Sequence, residues 1–329
     1  MLSRVAERIY WQSRYIERAE STARLLGEYS TLLLDMPQHT NLGWHTLVEI
    51  TGTHKQFNAS GRQAMERNIM RFLLVEENGV SLLSMLAMTR ESARTTREIM
   101  PREAFEQINN LYHYAEDELG KAVTRGPRHE RLAEIISGCQ RLTGLLAGSM
   151  SHNDVYRFVR MGRNLERADM TTRIVDVGSG NLLGGKRRQQ KQKQQQQRDK
   201  LKDTPASGTE PFENILWMSV LHSTSGYQMY RQYVKDRVNA EDVVIFLLQD
   251  PEFPRSLAHT IVKMEQMMER LSKSEQALVQ VRKILRLLKQ AKIETLLHGD
   301  GLFQFIDELQ VQIGVLHERI AATWFLPIK

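Results

Sequence analysis

Hydrophobic side chains recur along most of the chain at steps of three and four residues, the spacing that places them on one face of an α-helix. Polar and hydrophobic residues nowhere alternate in the period-two pattern that marks paired β-strands. The pattern therefore predicts an all-α protein. In the first predicted helix the hydrophobic face is formed by Val5, Ile9, Ile16, Ala19, Ala23, Leu26 and Leu33.

Residues that end helices divide this pattern into successive elements. Gly126-Pro127 is expected to separate two helices. Asp250-Pro251 is expected to end another, because proline disfavours helical geometry in the residue before it. After the first helix, further helices are predicted at 44–57, 62–76, 80–98, 103–123, 129–148, 154–177, 212–236, 240–249, 255–271, 274–293 and 302–323.

A segment of different composition interrupts the helical pattern between residues 178 and 209. It begins with Gly178-Ser179-Gly180 and contains seven glutamines interleaved with basic residues. Such a segment has too few hydrophobic side chains to offset the entropy lost on ordering. The composition therefore predicts a disordered, basic, Gln-rich linker over 178–209.

Several landmarks recur in the same order on the two sides of this segment. Residues 14–26 match residues 163–175 at an offset of 149, with six identities in thirteen positions. The offset then rises by about the length of the linker and holds, as a duplication with one insertion requires. The later matches, at offsets of 173 to 175, are Trp44 with Trp217, 72–74 with 246–248, and 81–82 with 256–257.

The repeated landmarks predict two tandem related helical bundles. The first helical repeat covers residues 1–150, and a helix at 151–177 that carries a Glu-Arg dipeptide opens the second repeat. The linker follows at 178–209. Residues 210–329 complete the second repeat.

Composition excludes several classes of protein. The single cysteine, Cys139, excludes an internal disulfide framework and a cysteine-based zinc cluster. The longest apolar run, Val243 to Leu248, is too short to span a bilayer. The N-terminal residues lead into an amphipathic helix rather than the apolar core of a signal peptide. We therefore expect a cytoplasmic protein with no membrane partner.

The net charge of +6 is concentrated in the predicted linker. Residues 186–202 contain eight basic residues and one acid, a net charge of +7, so the rest of the chain carries −1. The global basicity therefore does not favour nucleic acid as a partner of the folded part. A solvated linker is the preferred interpretation of the basic run, and an electrostatic contact with nucleic acid is the alternative.

The most distinctive chemistry is an arginine- and acid-rich helix that occurs twice. Glu17 precedes Arg18 in the first copy, and Glu166 precedes Arg167 in the second. Hydrophobic residues such as Met170 also occupy the charged side of the second helix, and a helix that is apolar nearly all round is usually buried. Buried charges must be paired or must line a cavity, because an unpaired buried charge is very costly.

Three interpretations of these two copies stay open. They could form a structural network of ion pairs, line a binding or catalytic site between helices, or cover a solvated helix face. For a catalytic site the candidates are Glu17 and Glu166. For a binding site, guanidinium groups suit carboxylate and phosphate ligands, and acids would orient them. The candidate ligand-binding residues of the two helices are Arg14, Arg18, Glu20, Arg24, Arg163, Arg167, Asp169 and Arg173.

The sequence favours neither a metal site nor a cofactor. Glu17 and Glu166 could in principle hold two metals, as in helical di-iron proteins, but the Glu-x-x-His partners of such sites are missing. The arginines beside each carboxylate would also compete for it. We therefore expect no metal and no cofactor.

These motifs resemble the signatures of the alpha-E family, a bacterial all-helical domain named for its Glu-Arg motif. Residues 1–26 resemble its opening signature and residues 162–170 its second. Two shorter matches are residues 90–94 and residues 253–256. At Gln12-Ser13 the family usually has an apolar residue and glycine, so this departure argues against a close helix contact there.

The resemblance implies a function through the family's partners, because the family has no settled activity. Its members typically accompany a circularly permuted ATP-grasp protein and a transglutaminase-like protease. This implies an accessory or anionic-ligand-binding subunit of a system that forms amides or peptides. The alternative is an enzyme of amide or peptide metabolism, with a Glu general base in a Glu/Arg-lined helical cleft. The match at 90–94 adds Arg90, Glu91 and Arg94 to the candidate ligand-binding residues.

Overall fold

A computed structural model describes the backbone of residues 3–35, 43–196 and 210–325, with side chains described for 3–34, 43–179 and 214–325. Its regular elements are helices alone, so the predicted all-α fold class is confirmed. Within the described residues, no helix is long and apolar enough to cross a membrane. The α-helices are α1 (Ser3–Asp35), α2 (His45–Ile50), α3 (His54–Ala59), α4 (Glu66–Leu74), α5 (Leu82–Thr95), α6 (Arg102–Glu118), α7 (Arg125–Ser149), α8 (Asp154–Gln196), α9 (Glu210–Ser223), α10 (Tyr227–Tyr233), α11 (Ala240–Gln249), α12 (Leu257–Met268), α13 (Glu275–Gln290), α14 (Ile293–Leu296) and α15 (Gly301–Trp324).

Local sequence sets the ends of several helices. The side chains of Ser81 and Ser256 cap α5 and α12, each accepting a hydrogen bond from an amide of the first turn. Such a cap satisfies one of the amides that have no partner inside the helix. Helix α11 ends at Gln249 because Asp250 adopts an extended conformation before Pro251, as predicted.

Several predicted helix boundaries differ from the structure. The span predicted at 44–57 forms two helices, α2 and α3, because Gly52 between them adopts a positive φ of 69°. The span predicted at 212–236 is divided in the same way, because Ser225, with a φ of 54°, separates α9 from α10. Helix α7 begins at Arg125, before Pro127, because proline is tolerated in a first turn where its missing amide has no helical partner.

The segment predicted as a disordered linker is helical in its first part. Helix α8 continues to Gln196, and Gly178 within it packs against α9. A Cβ at Gly178 would lie 2.6 Å from Cγ2 of Val220, and the neighbouring Ser179 is buried. The predicted boundary at residue 178 is therefore wrong, because the absent side chain of Gly178 lets two helices pack closely. Residues 197–209 of the predicted linker lie outside the described residues.

The two helices that carry the Glu-Arg motif pack against each other at the centre of the molecule. Helices α5 and α7 pack against α1, and α12 and α15 pack against α8. On the outside, α6 bridges α5 and α7, while α13 bridges α12 and α15. Buried hydrophobic side chains from both halves form one continuous core. The halves therefore share a core along the contact between α1 and α8, and are not separately closed bundles.

Candidate functional site

Helices α1 and α8 run in the same direction and make a very close contact at Gly162. A Cβ at Gly162 would collide with the carbonyl oxygen of Tyr10 and lie 3.3 Å from the Cβ of Ser13. Farther along, Leu25 of α1 and Ile174 of α8 line the same small cavity, so residue numbers rise together along the contact. The close approach that the departure in α1 argued against is therefore present, because α8 supplies the glycine.

This contact brings the two Glu-Arg dipeptides together, and they pair crosswise. Glu166 accepts hydrogen bonds from Arg14 Nε at 2.8 Å and from Arg18 Nη2 at 2.9 Å, and a further one from Arg18 Nε. Glu17 accepts hydrogen bonds from Arg167 Nε and Nη2, both at 2.8 Å. The side chains of Glu166 and Glu17 are 0% and 1% exposed. Both acids therefore lie in the interior and are paired with arginines, which rules out the interpretation of these two positions as a solvated helix face.

A fourth arginine, Arg255, which the sequence did not single out as a site residue, also pairs with Glu17. Arg255 Nη1 donates to Glu17 Oε1 at 3.0 Å, and its Nη2 donates to Glu20 Oε1. Arg255 lies between α11 and α12 in a segment that is fixed to α8, because its carbonyl oxygen accepts a hydrogen bond from Thr171 Oγ1 at 3.0 Å. The only signal for Arg255 in the sequence is the family-like match at residues 253–256.

The remaining acids of the motif are also paired. Arg24 Nη2 donates to Glu20 Oε1 at 2.9 Å, and Arg173 Nε donates to Asp169 Oδ2 at 2.9 Å. The guanidinium group of Arg173 occupies the space where a side chain at Gly52 would lie. The structure thus places the predicted residues of both motif helices, apart from Arg163, in three groups of ion pairs, around Glu166, around Glu17 and Glu20, and at Asp169.

Arg163 has no such partner. Its position in the motif corresponds to that of Arg14, but Arg255 takes the place beside Glu17 that the correspondence would give it. Among the described residues Arg163 makes no hydrogen bond or ion pair, and its buried Nε is unsatisfied. It lines a cavity of about 20 Å³ together with Gln12, whose Oε1 also has no donor, and Tyr156. Arg163 is therefore a largely buried cation without a carboxylate.

The surroundings lower the pKa values of Glu17, Glu166 and Arg163, which favours the charged form of the two acids and disfavours that of the arginine. Burial alone would raise the pKa of Glu17, but the positive charges of Arg167 and Arg255 outweigh it and lower this pKa to about 2. The pKa of Glu166 is lowered in the same way, against burial, by its arginine partners. For Arg163, burial and the like charge of Arg167 lower the pKa to about 10. Both acids are therefore ionised at neutral pH, whereas Arg163 is held in an environment that opposes its charge.

Arginines outnumber acids in this cluster, which we call the Glu–Arg network. It contains four acids and seven arginines, an excess of three positive charges. The acids are Glu17, Glu20, Glu166 and Asp169, and the arginines are Arg14, Arg18, Arg24, Arg163, Arg167, Arg173 and Arg255.

Three candidate residues of α5 lie outside the network. Arg90 Nε donates to Asn109 Oδ1 of α6 at 2.9 Å, and its guanidinium carbon lies 4.8 Å from the centre of the Tyr112 ring. Glu91 and Arg94 form an exposed ion pair at 3.0 Å. Arg90 therefore serves the packing of α5 on α6, and within the described residues none of the three contacts the Glu–Arg network.

The comparison with protein families agrees with the sequence resemblance. The Alpha-E family, described as a predicted alpha-helical domain with a conserved ER motif, matches residues 1–325. No curated protein and no solved structure matches the chain. The matched region contains both motif helices and nearly the whole chain, and the Glu-Arg dipeptides of these helices form the crosswise ion pairs. The chain therefore belongs to the Alpha-E family.

Proposed function

We propose that the chain is a binding subunit that holds the negatively charged group of a small molecule at the contact between α1 and α8. The observation that carries this proposal is the charge imbalance of the Glu–Arg network, in which Arg163 has no partner among the described residues. Excess buried positive charge is costly unless an anion compensates it. A carboxylate or phosphate group bound to Arg163 would supply that compensation.

The cavity beside Arg163 limits how such a ligand can lie. Its volume of about 20 Å³ admits a group of roughly the size of one water molecule. Only one or two oxygen atoms of a carboxylate or phosphate fit there, and the rest of the ligand must lie towards the surface. Arg255 comes from the second half and has no counterpart among the described residues of the first, so the two ends of the network differ. Such a site suits a ligand whose two ends are chemically different.

Binding is a better account of the network than catalysis by its carboxylates. A general base works best when its pKa lies near the operating pH. The arginines hold the pKa of Glu17 at about 2 and lower that of Glu166, and each carboxylate already accepts several hydrogen bonds. The alternative, an amide- or peptide-processing enzyme with one of these acids as base, therefore has less support.

The partners in this proposal are those that the family resemblance implies. The subunit would act in the cytoplasm beside an ATP-grasp ligase and a transglutaminase-like protease. The bound group would then be a carboxylate or phosphate of the ligase's substrate or product. A purified protein that turns over amino-acid amides without any partner would instead favour the enzyme.

We also propose that the two halves arose by duplication, as the matched landmarks indicate. Helices α5 and α7 pack on α1 as α12 and α15 pack on α8, and Ser81 and Ser256 cap α5 and α12 at matched positions. Superposition of these two helix sets in an experimental structure tests the idea. Sets that do not superpose in the same helix order would rule it out.

The proposed function is tested by replacing the unpaired arginine. Calorimetric titrations with L-glutamate, L-glutamine and inorganic phosphate would measure binding to the intact chain, and mass spectrometry would identify any co-purified molecule. Arg163→Gln is expected to weaken anion binding about tenfold or more, because a charge-assisted contact contributes roughly 1.5–3 kcal/mol. The same variant should not lose stability without ligand, because it removes an uncompensated buried charge.

Arg90→Gln is the matched control, since Arg90 is a partly buried arginine outside the network. It should leave anion binding unchanged. L-glutamate binding that survives Arg163→Gln would contradict the proposed site. If no anion binds and Arg163→Gln destabilises the protein, the network is structural.

A further inference from the structure

A separate basic cleft lies in the first half of the chain and shares no residue with the Glu–Arg network. It is formed by α4, the short segment 120–124 and the start of α7, and its volume is about 560 Å³. Small-molecule sites typically occupy about 300–1,000 Å³. The charged residues that line this cleft are Glu66, Arg67, Arg71 and Arg125.

Glu66, the one acid among the described residues that line the cleft, is already paired with arginines of α7. Glu66 accepts hydrogen bonds from Arg125 Nε at 2.9 and 2.8 Å, one to each carboxylate oxygen, and Arg128 Nη1 lies 2.9 Å from its Oε1. Burial would raise the pKa of Glu66, but the hydrogen bonds from these two arginines lower it. Glu66 is therefore ionised and compensates the arginines of α7, leaving those of α4 without it.

The positive charges of the two α4 arginines in the cleft, Arg67 and Arg71, are paired with acids weakly or not at all among the described residues. Among the described residues Arg67 forms no hydrogen bond or ion pair. Arg71 Nε lies 4.0 Å from Oε1 of Glu76, and Arg62 forms a much closer ion pair with the same oxygen. Two guanidinium groups are thus available at one side of the cleft, beside an apolar wall that contains Val75.

We propose that this cleft binds a small organic phosphate. A phosphate monoester carries nearly two negative charges at neutral pH, which matches the unpaired guanidinium group of Arg67 and the weakly paired one of Arg71. Their forked donors also fit the tetrahedral oxygens of phosphate. Val75 and Val123 would contact the organic part of the ligand. A compact cleft favours a small molecule, since a nucleic acid would require basic residues spread along an extended surface.

Phenyl phosphate is a suitable probe, because it combines a phosphate with a compact apolar group. Its affinity for the full-length chain would be measured by calorimetric titration. Arg67→Gln with Arg71→Gln should weaken binding about tenfold or more. Both side chains are exposed, so the helical circular dichroism and the thermal midpoint should stay unchanged. Arg102→Gln, which changes an exposed arginine on α6, is the matched control and should bind phenyl phosphate normally.

Several results would overturn the assignment. Absence of binding, or equal affinity in the double variant, would exclude the cleft as the phosphate site. Benzoate that binds as tightly as phenyl phosphate would contradict selection for phosphate. A single-stranded oligonucleotide that binds more tightly, and loses affinity in the same double variant, would make the cleft a nucleic-acid contact. The cleft and the Glu–Arg network share no residue, so loss of phenyl phosphate binding in the Arg67→Gln and Arg71→Gln double variant does not depend on the proposed function.

Discussion

The buried pair around Glu166 gives the sharpest test of the physical account. Glu166→Gln keeps the shape of the side chain but removes the charge that accepts hydrogen bonds from Arg14 and Arg18. Breaking a buried ion pair on one side typically costs about 3–5 kcal/mol, because the remaining charge is left uncompensated. Arg18 is 28% exposed and can regain water, whereas Arg14 is only 9% exposed. We therefore expect the free energy of unfolding to fall by about 3 kcal/mol, the lower end of that range.

Urea-induced unfolding at pH 7, followed by circular dichroism, measures this loss. With an m-value of about 3 kcal/mol/M, the midpoint should shift by about 1 M. Glu91→Gln is the matched control, because Glu91 pairs with Arg94 at the surface and is 65% exposed, so its loss should stay below about 1 kcal/mol. Adding Arg14→Met to Glu166→Gln should recover part of the loss, because the stranded charge is removed. A loss for Glu166→Gln no larger than that for Glu91→Gln would refute the assignment of a buried, energetically coupled pair.

Further variants test the packing and the titratable groups of the same helices. Gly162→Ala should lower the free energy of unfolding in urea by about 1–3 kcal/mol, because the new Cβ collides with α1. Gly144→Ala on α7 is the control and should stabilise slightly, because there is open space around it. Equal effects of the two changes would contradict the close contact. Burial and the neighbouring Asp307 raise the pKa of Asp176 to about 6, so its charge destabilises the folded state as pH rises through 6. Asp176→Asn should therefore increase the free energy of unfolding at pH 8 by about 1 kcal/mol after solvent screening, and the thermal midpoint should rise accordingly. At pH 3.5 the variant should have little effect. A larger effect at pH 3.5 than at pH 8 would exclude this account. Burial and nearby arginine charge lower the pKa of His317 from 6.5 to about 4, so stability should fall as pH decreases from 6.5 to 4, and His317→Gln should flatten that part of the profile in denaturant titrations. An unchanged profile in that variant would show that other groups take up the protons.

The helical class and the burial of the second motif helix could be predicted from the sequence because both follow from local patterns. The three-and-four spacing of hydrophobic residues identifies helices wherever one side faces a core. Apolar residues on every side of the second motif helix, such as Met170, indicate burial, and buried Glu166 must then have a partner. Glu17 holds the matching position in the first copy and is buried as well. The boundary at residue 178 could not be predicted in this way, because glycine-rich composition does not reveal whether a neighbouring helix will pack against the glycine.

The identity of the partners was decided by the tertiary structure. Arg255 lies 238 positions from Glu17 along the chain, yet the segment before α12 brings it into hydrogen-bonding distance. Arg255 occupies the position beside Glu17, and Arg163 has no partner among the described residues. In the motif, Arg163 corresponds to Arg14 of the first copy, which is paired. Long arginine side chains can reach several acids, so the pairing depends on which helices and loops surround the carboxylate. The sequence therefore indicated that the charges of the second motif helix would be buried, and only the packed fold decided which charges of the network would remain without a partner.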